Sequence, residues 1–255
     1  MVRITFNPVE VAYKSVKDKP VIELYGISEG KRICVQVKDF EPYFWVTDKK
    51  AEDEKIVRVE EHKKNFLGKE ITAKKVFVKQ PSDVPIIREK FKALEADIPY
   101  TRRYMIDRKI TPLLTYEVTG KSVKSDYKIE VIEADEIRRV SDEVPELKIL
   151  AVDIETYTPE YKEIEPQKNP ILMIAFYAND YQKVFLWKKY ETNLGYVEFV
   201  NTEQELIEKF KQVVEEYKPD ILTGYFSDGF DLPYIKTRAD KYKIKLDLGL
   251  DLGGL

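Results

Sequence analysis

An apolar run, Lys148-Ile149-Leu150-Ala151-Val152, leads straight into Asp153-Ile154-Glu155. Such a run predicts a buried strand. Residues two apart on a strand share a face, so Asp153 and Glu155 project together while Ile154 packs on the other side. Two neighbouring carboxylates repel each other and resist desolvation unless something neutralises them. A divalent cation does this well, because Mg²⁺ and Mn²⁺ prefer oxygen ligands. Read alone, the pair is more simply two surface acids at a strand end. A second segment changes the balance. Tyr225-Phe226-Ser227-Asp228-Gly229-Phe230-Asp231-Leu232-Pro233-Tyr234 carries Asp231 between aromatic and apolar anchors. Turn chemistry explains Asp228-Gly229 but not Phe230-Asp231-Leu232-Pro233-Tyr234.

Composition narrows the chemistry further. Among 255 residues there is one His and one Cys, which excludes multi-His metal sites, thiolate zinc clusters and a disulfide framework. A metal here would be held by carboxylates. Lys+Arg 43 against Asp+Glu 46 gives a net charge of -3, so any polyanion site is local rather than general. Hydrophobic residues at 43% allow a real core, and charged residues at 35% predict a densely charged surface. No stretch approaches the ~20 apolar residues of a membrane span. The start, Met1-Val2-Arg3-Ile4-Thr5-Phe6, lacks a signal peptide's apolar run, and a cytoplasmic, membrane-free protein is expected.

The elements that must position these acids fall into two groups. The first ~130 residues read as short strands joined by charged turns, an α+β pattern. Val21–Gly26 and Ile33–Val37 flank Ser28-Glu29-Gly30-Lys31, predicting a hairpin with a turn longer than two residues. Tyr43-Phe44-Trp45-Val46 is apolar on both faces and predicts a central strand; Val76–Lys79 predicts another. Pro85 opens a predicted helix through Ile86, Ile87, Phe91 and Leu94. From Val118 to Val140 the chain turns polar, and a domain boundary is expected there, between 133 and 134. Beyond it, strands are predicted at 148–152, 171–176, 184–187 and 221–225. Thr202-Glu203-Gln204-Glu205 has the form of a capping box opening an amphipathic helix that ends at Lys218-Pro219. The second group is thus a mixed sheet with crossover helices.

Ala151-Val152-Asp153-Ile154-Glu155-Thr156 resembles the first motif, and Phe230-Asp231-Leu232-Pro233-Tyr234 the second, of the 3′–5′ proofreading exonuclease in archaeal family B DNA polymerases. The second motif usually reads Tyr-Asn-x-x-x-Phe-Asp. Here Tyr225, Phe230 and Asp231 keep their places and Phe226 stands where the Asn is expected. Lys19-Pro20-Val21-Ile22, Phe40-Glu41-Pro42-Tyr43, Asp83 through Lys90, and Asp97-Ile98-Pro99-Tyr100 through Asp107 match the family's pattern in order and approximate spacing. The resemblance covers nearly the whole chain.

It implies an α+β N-terminal domain, residues 1–133, followed by an RNase H-like α/β exonuclease domain, 134–255, cut off before its third motif. The parent would be a DNA-directed DNA polymerase of DNA replication, a nucleotidyltransferase with a hydrolase domain. Asp153, Glu155 and Asp231 would be its catalytic and metal residues, holding two Mg²⁺ or Mn²⁺ ions. The N-terminal domain would capture template uracil in a pocket walled by Tyr13, Pro42, Tyr43, Val84, Ile98, Pro99 and Tyr100, with Arg103 nearby. Tyr225 and Phe230 would also touch DNA. The implied partners are primer-template DNA, uracil-containing single-stranded template, the remaining polymerase domains and a sliding clamp.

From the residues alone, Tyr43, Val84 and Ile98 read as ordinary core. The third motif's Tyr-x-x-x-Asp has no counterpart between Asp231 and Leu255, and Asp228 and Asp247 lack its helical placement. The chain by itself is therefore expected to be catalytically incomplete, with association or disorder near its C-terminus. The alternative is a split or stand-alone, non-catalytic DNA-binding relative.

Overall fold

The structure is a computed structural model that describes residues 1–159 and 163–251. Two compact units are present, one of 1–125 with 129–145, the other of 126–128 with 146–251. The expected C-terminal association or disorder concerns positions that include 252–255, which lie outside the described residues.

In the first unit the strands run β1 (Val2–Val16), β2 (Lys19–Ser28), β3 (Lys31–Val37), β4 (Tyr43–Val46), β5 (Ile56–Phe66) and β6 (Lys69–Val78). Helix α1 (Asp83–Ile87), β7 (Ala93–Leu94), α2 (Tyr100–Arg108), β8 (Thr115–Val123) and β9 (Glu130–Ser141) complete it. Strands β1-β2-β3-β9-β8 close into a barrel, and β5-β6-β4-β7 form a four-stranded sheet. The barrel is filled by Phe6, Ile22, Leu24, Val35, Tyr116, Val118 and Ile132, all at most 2% exposed. Strand β4 pairs on both sides, with β6 and β7, and all four of its residues are buried, as their two-sided apolarity predicts.

Several local expectations give way. Ser28 pairs with Lys31, so the β2–β3 turn holds only Glu29 and Gly30. Both have positive φ, the two-residue turn whose twist matches the flanking strands. The helix opened near Pro85 is only one turn long and gives way to a 3-10 turn, Arg88–Lys90, before Leu94 joins the sheet. Residues 118–140 are not a polar linker. Val118 and Ile132 enter the barrel core, with Ala134 and Ile137 packed against it, among the charged residues that masked them. The division expected at 133/134 consequently falls inside β9, and the first unit runs on to Pro145.

The second unit contains β10 (Ile149–Thr156), β11 (Ile171–Ala178), β12 (Tyr181–Leu186), β13 (Val197–Phe199), α3 (Glu203–Tyr217), β14 (Ile221–Thr223) and α4 (Asp231–Lys241). Its sheet order is β13-β12-β11-β10-β14. Strand β10 is antiparallel to β11 and parallel to β14, so the sheet is mixed. Thr202 Oγ1 accepts the Glu205 amide at 3.1 Å, and Glu205 reaches back to the Asn201 amide at 2.7 Å. These bonds cap α3, whose face of Leu206, Ile207, Phe210 and Val213 is buried with Leu150, Val152, Ile174 and Phe176 of the sheet. Each such side chain contributes about 1.5–3 kcal/mol by leaving water. That packing fixes the platform on which β10 presents its acids.

Candidate functional site

Asp231 is the first residue of α4, where the helix's positive end favours a carboxylate. It is 3% exposed. Its Oδ1 accepts the backbone N–H of Ile154 at 3.2 Å, the residue between Asp153 and Glu155. The three acids predicted from sequence are thus tied to one stretch of β10. Asp153 and Glu155 sit on the exposed side of that strand, while Val152 and Ile154 enter the core. Burial pushes the Asp231 carboxyl above the usual range and the Asp153 charge adds to this, while amide hydrogen bonds, including that from Ile154, oppose it.

The turn 224–230 lies hard against the strand. A Cβ on Gly224 would stand 2.5 Å from the Val152 carbonyl oxygen, so only glycine lets the backbone come this close. Among the described residues no three His, Cys, Asp or Glu side chains stand together as a ready cation site. The donors are nonetheless all oxygen, and Asp231 is desolvated beside a like charge. That chemistry fits a hard divalent cation. Of the two reserve acids, Asp247 is engaged with Lys211 Nζ at 2.7 Å, and Asp228 is exposed.

Behind the acids lies a polar cluster that the sequence did not reveal. The Glu203 carboxylate accepts Arg238 Nε (2.7 Å), Arg238 Nη2 (2.5 Å), Tyr242 OH (2.7 Å) and the Ile171 amide (2.8 Å). Arg238 Nη1 also donates to the carbonyls of Pro166 and Gln167 at 3.1 and 3.2 Å. Burial pushes Glu203 up, but these donors outweigh it and hold its carboxyl below the usual range. Tyr234 OH donates to the Asn169 carbonyl, and Asn169 Nδ2 to that of Tyr157. Tyr157 and residues 166–169, which lead into β11, are thereby clamped to α3 and α4.

In the first unit, seven of the residues named from sequence come together. Pro42, Tyr43, Val84, Ile98, Pro99, Tyr100 and Arg103 line a pocket of about 150 Å³, joined by Pro81, Pro85, Arg88, Ala96 and Asp97. Its size is below the ~300–1,000 Å³ of drug-sized sites and suits one small ring. Tyr13 is not in the lining; it packs edge-on against Tyr100, with centroids 5.2 Å apart. Tyr43 OH donates to Asp107 at 2.6 Å, and burial, helped by that carboxylate, pushes its phenol up. Tyr100 OH donates to the Phe40 carbonyl at 2.6 Å. Arg103 is no solvated cation: it is buried and bonds Glu95 through Nη1 (2.7 Å) and Nη2 (2.9 Å). Its Nε is the one buried side-chain polar atom without a partner among the described residues.

Tyr225 is almost wholly exposed, while Phe230 is half-buried against Tyr234. Among the described residues no helix is long and apolar enough to cross a membrane.

Comparison with known proteins gives a consistent result. The profile described as DNA polymerase family B, exonuclease domain, matches residues 91–251. A DNA polymerase of Pyrococcus glycovorans is 34% identical over 265 aligned positions, covering 95% of this chain and 30% of the relative. A DNA polymerase of Thermococcus gorgonarius is likewise 34% identical, covering 94% of this chain and 30% of its own length. The solved structure of the family B DNA polymerase from Pyrobaculum calidifontis superposes with a TM-score of 0.82 at 28% identity. It is matched over 98% of this chain and 34% of its own. The chain therefore spans about 30% of the length of these two relatives.

Proposed function

The chain belongs to DNA polymerase family B, and we propose that it supplies the carboxylates of a metal-dependent 3′–5′ exonuclease together with a template-reading pocket. The observation that carries the first half is the Asp231 carboxyl, buried and held on the Ile154 amide between Asp153 and Glu155. These three residues would hold the divalent ions of the family's exonuclease domain, which we take to be two Mg²⁺ or Mn²⁺. Such ions, when bound, supply an activated water and a Lewis acid at the leaving 3′ oxygen.

The chain's own residues do the rest. The Asp231 carboxyl is raised by burial and by the Asp153 charge, and a bound cation would offset both and favour its charged form. The exposed face of β10 leaves room for a frayed nucleic-acid end beside Asp153 and Glu155. The Glu203–Arg238 clamp ties α4 to Pro166 and Gln167, which keeps Asp231 on Ile154. The substrate in this reading is the terminal phosphodiester of a DNA strand. The parent activity would be templated DNA synthesis with proofreading, alongside the remaining polymerase domains and a sliding clamp.

The pocket would take a flipped template uracil. Prolines at 42, 81, 85 and 99 stiffen its wall, and its volume admits a single small ring. A thymine methyl would need space that such a slot withholds.

Asp153→Ala with Glu155→Ala, in the protein that carries this chain, should abolish hydrolysis of 3′-labelled single-stranded DNA and leave DNA binding largely intact. Undiminished hydrolysis refutes the assignment. A second reading, a non-catalytic DNA-binding module, is favoured by the fact that, among the described residues, no three acids stand together as a closed ligand set. It predicts uracil-dependent binding without any response to Mn²⁺.

A further inference from the structure

Ten non-glycine residues among those described have positive φ, and Phe226 (φ 57) is the only aromatic among them. That region of backbone space is disfavoured for bulky side chains, and residues held there cluster at functional sites. Nothing in the core rewards the strain. The Phe226 ring is 71% exposed and belongs to no hydrophobic cluster. Its position is nevertheless built. The Phe226 carbonyl accepts the amides of Gly229 and Phe230, each at 3.0 Å. The ring itself lies on Gly229, where a Cβ would overlap its Cζ and both Cε atoms. Glycine here makes a seat for the ring, and the next residue but one is the buried Asp231.

We infer that Phe226 is a stacking platform for the terminal base of a single-stranded nucleic acid whose 3′ end enters the carboxylate site. The inference rests on the exonuclease reading and names how that site grips its substrate. Every base has a π face, so a flat ring grips ends of any sequence, as proofreading of a frayed terminus requires. Family relatives usually carry Asn at this place, a hydrogen-bonding group. This chain uses a ring and has shaped the turn around it.

The test is the affinity of the full chain, in metal-free buffer with EDTA, for two single-stranded oligonucleotides. One ends in an ordinary 3′ nucleotide, the other in a 3′ abasic residue. Wild type should prefer the intact end roughly 5- to 150-fold, the range for one base stacked on one aromatic ring. Phe226→Asn should erase the preference. Gly229→Ala, which touches only the ring's seat, should erase most of it and add nothing in the Phe226→Asn background. Circular dichroism checks that these surface variants stay folded. A preference retained in Phe226→Asn, or a wild type that binds both ends equally, overturns this inference alone. A wild type that binds neither oligonucleotide overturns it together with the exonuclease reading.

Discussion

Replacing Arg238 with Met keeps most of the side chain's bulk and removes its charge. Its side chain is 2% exposed and that of Glu203 4%. In the variant, Glu203 would retain only the Tyr242 hydroxyl and the Ile171 amide, and the Pro166 and Gln167 carbonyls would lose their donor. Stranding a buried charge in this way costs about 3–5 kcal/mol. For a unit of roughly a hundred residues, that lowers the midpoint of thermal unfolding by on the order of 10–20 °C. Urea unfolding followed by fluorescence should show a lower midpoint with an unchanged slope. Adding Glu203→Gln to Arg238→Met should recover part of the loss, because both partners are then neutral. The pH dependence has a definite sign. Glu203 is held below the usual carboxyl range in the fold, so its contribution is complete above the ordinary Glu value of ~4.3 and fades as pH falls through the lowered folded value. A loss below about 1 kcal/mol at pH 7, or a wild-type advantage that grows in acid, refutes the clamp.

Asp231 carries the opposite sign. Its folded carboxyl is raised, so stability should fall as pH climbs through the acid range. Asp231→Asn, which can still accept the Ile154 amide, should raise metal-free stability at pH 7 by about 0.5–2 kcal/mol while activity is lost; destabilisation in the metal-free protein contradicts the desolvation argument. In the pocket, Val84→Phe should push a ring into the 150 Å³ space and abolish any preference for uracil- over thymine-containing single strands in fluorescence anisotropy, with little change in overall affinity. A preference that survives places base reading elsewhere.

The acids were candidates in sequence because each is announced locally: Asp153 and Glu155 end an apolar run, and Asp231 sits in a frame of aromatic and apolar neighbours. The pocket walls came only from the family resemblance, since Tyr43, Val84 and Ile98 by themselves read as core. Strands β10, β11, β12 and β14 of the second unit and its capped helix were equally plain, since periodicity and capping are short-range signals, whereas the three-residue β13 was not foreseen. What stayed hidden was non-local. Glu203 and Arg238 are 35 residues apart, and nothing in the chain pairs them before the fold does. The first unit's barrel was missed because β8 and β9 alternate apolar with charged residues, so their average polarity looked like a linker. The helix expected at 85–94 was cut short because its last residues, Ala93 and Leu94, joined the β4 edge instead. Phe226 could be seen as a departure, but its left-handed backbone and its seat on Gly229 emerge only in three dimensions.

The carboxylate assignment is tested most simply by Mn²⁺ titration of the chain followed by electron paramagnetic resonance, which reads free Mn²⁺ directly. Wild type should remove Mn²⁺ from solution, and the variant combining Asp153→Ala with Asp231→Asn should not. Equal binding by the two proteins would contradict the assignment of these carboxylates to a metal-dependent nuclease site.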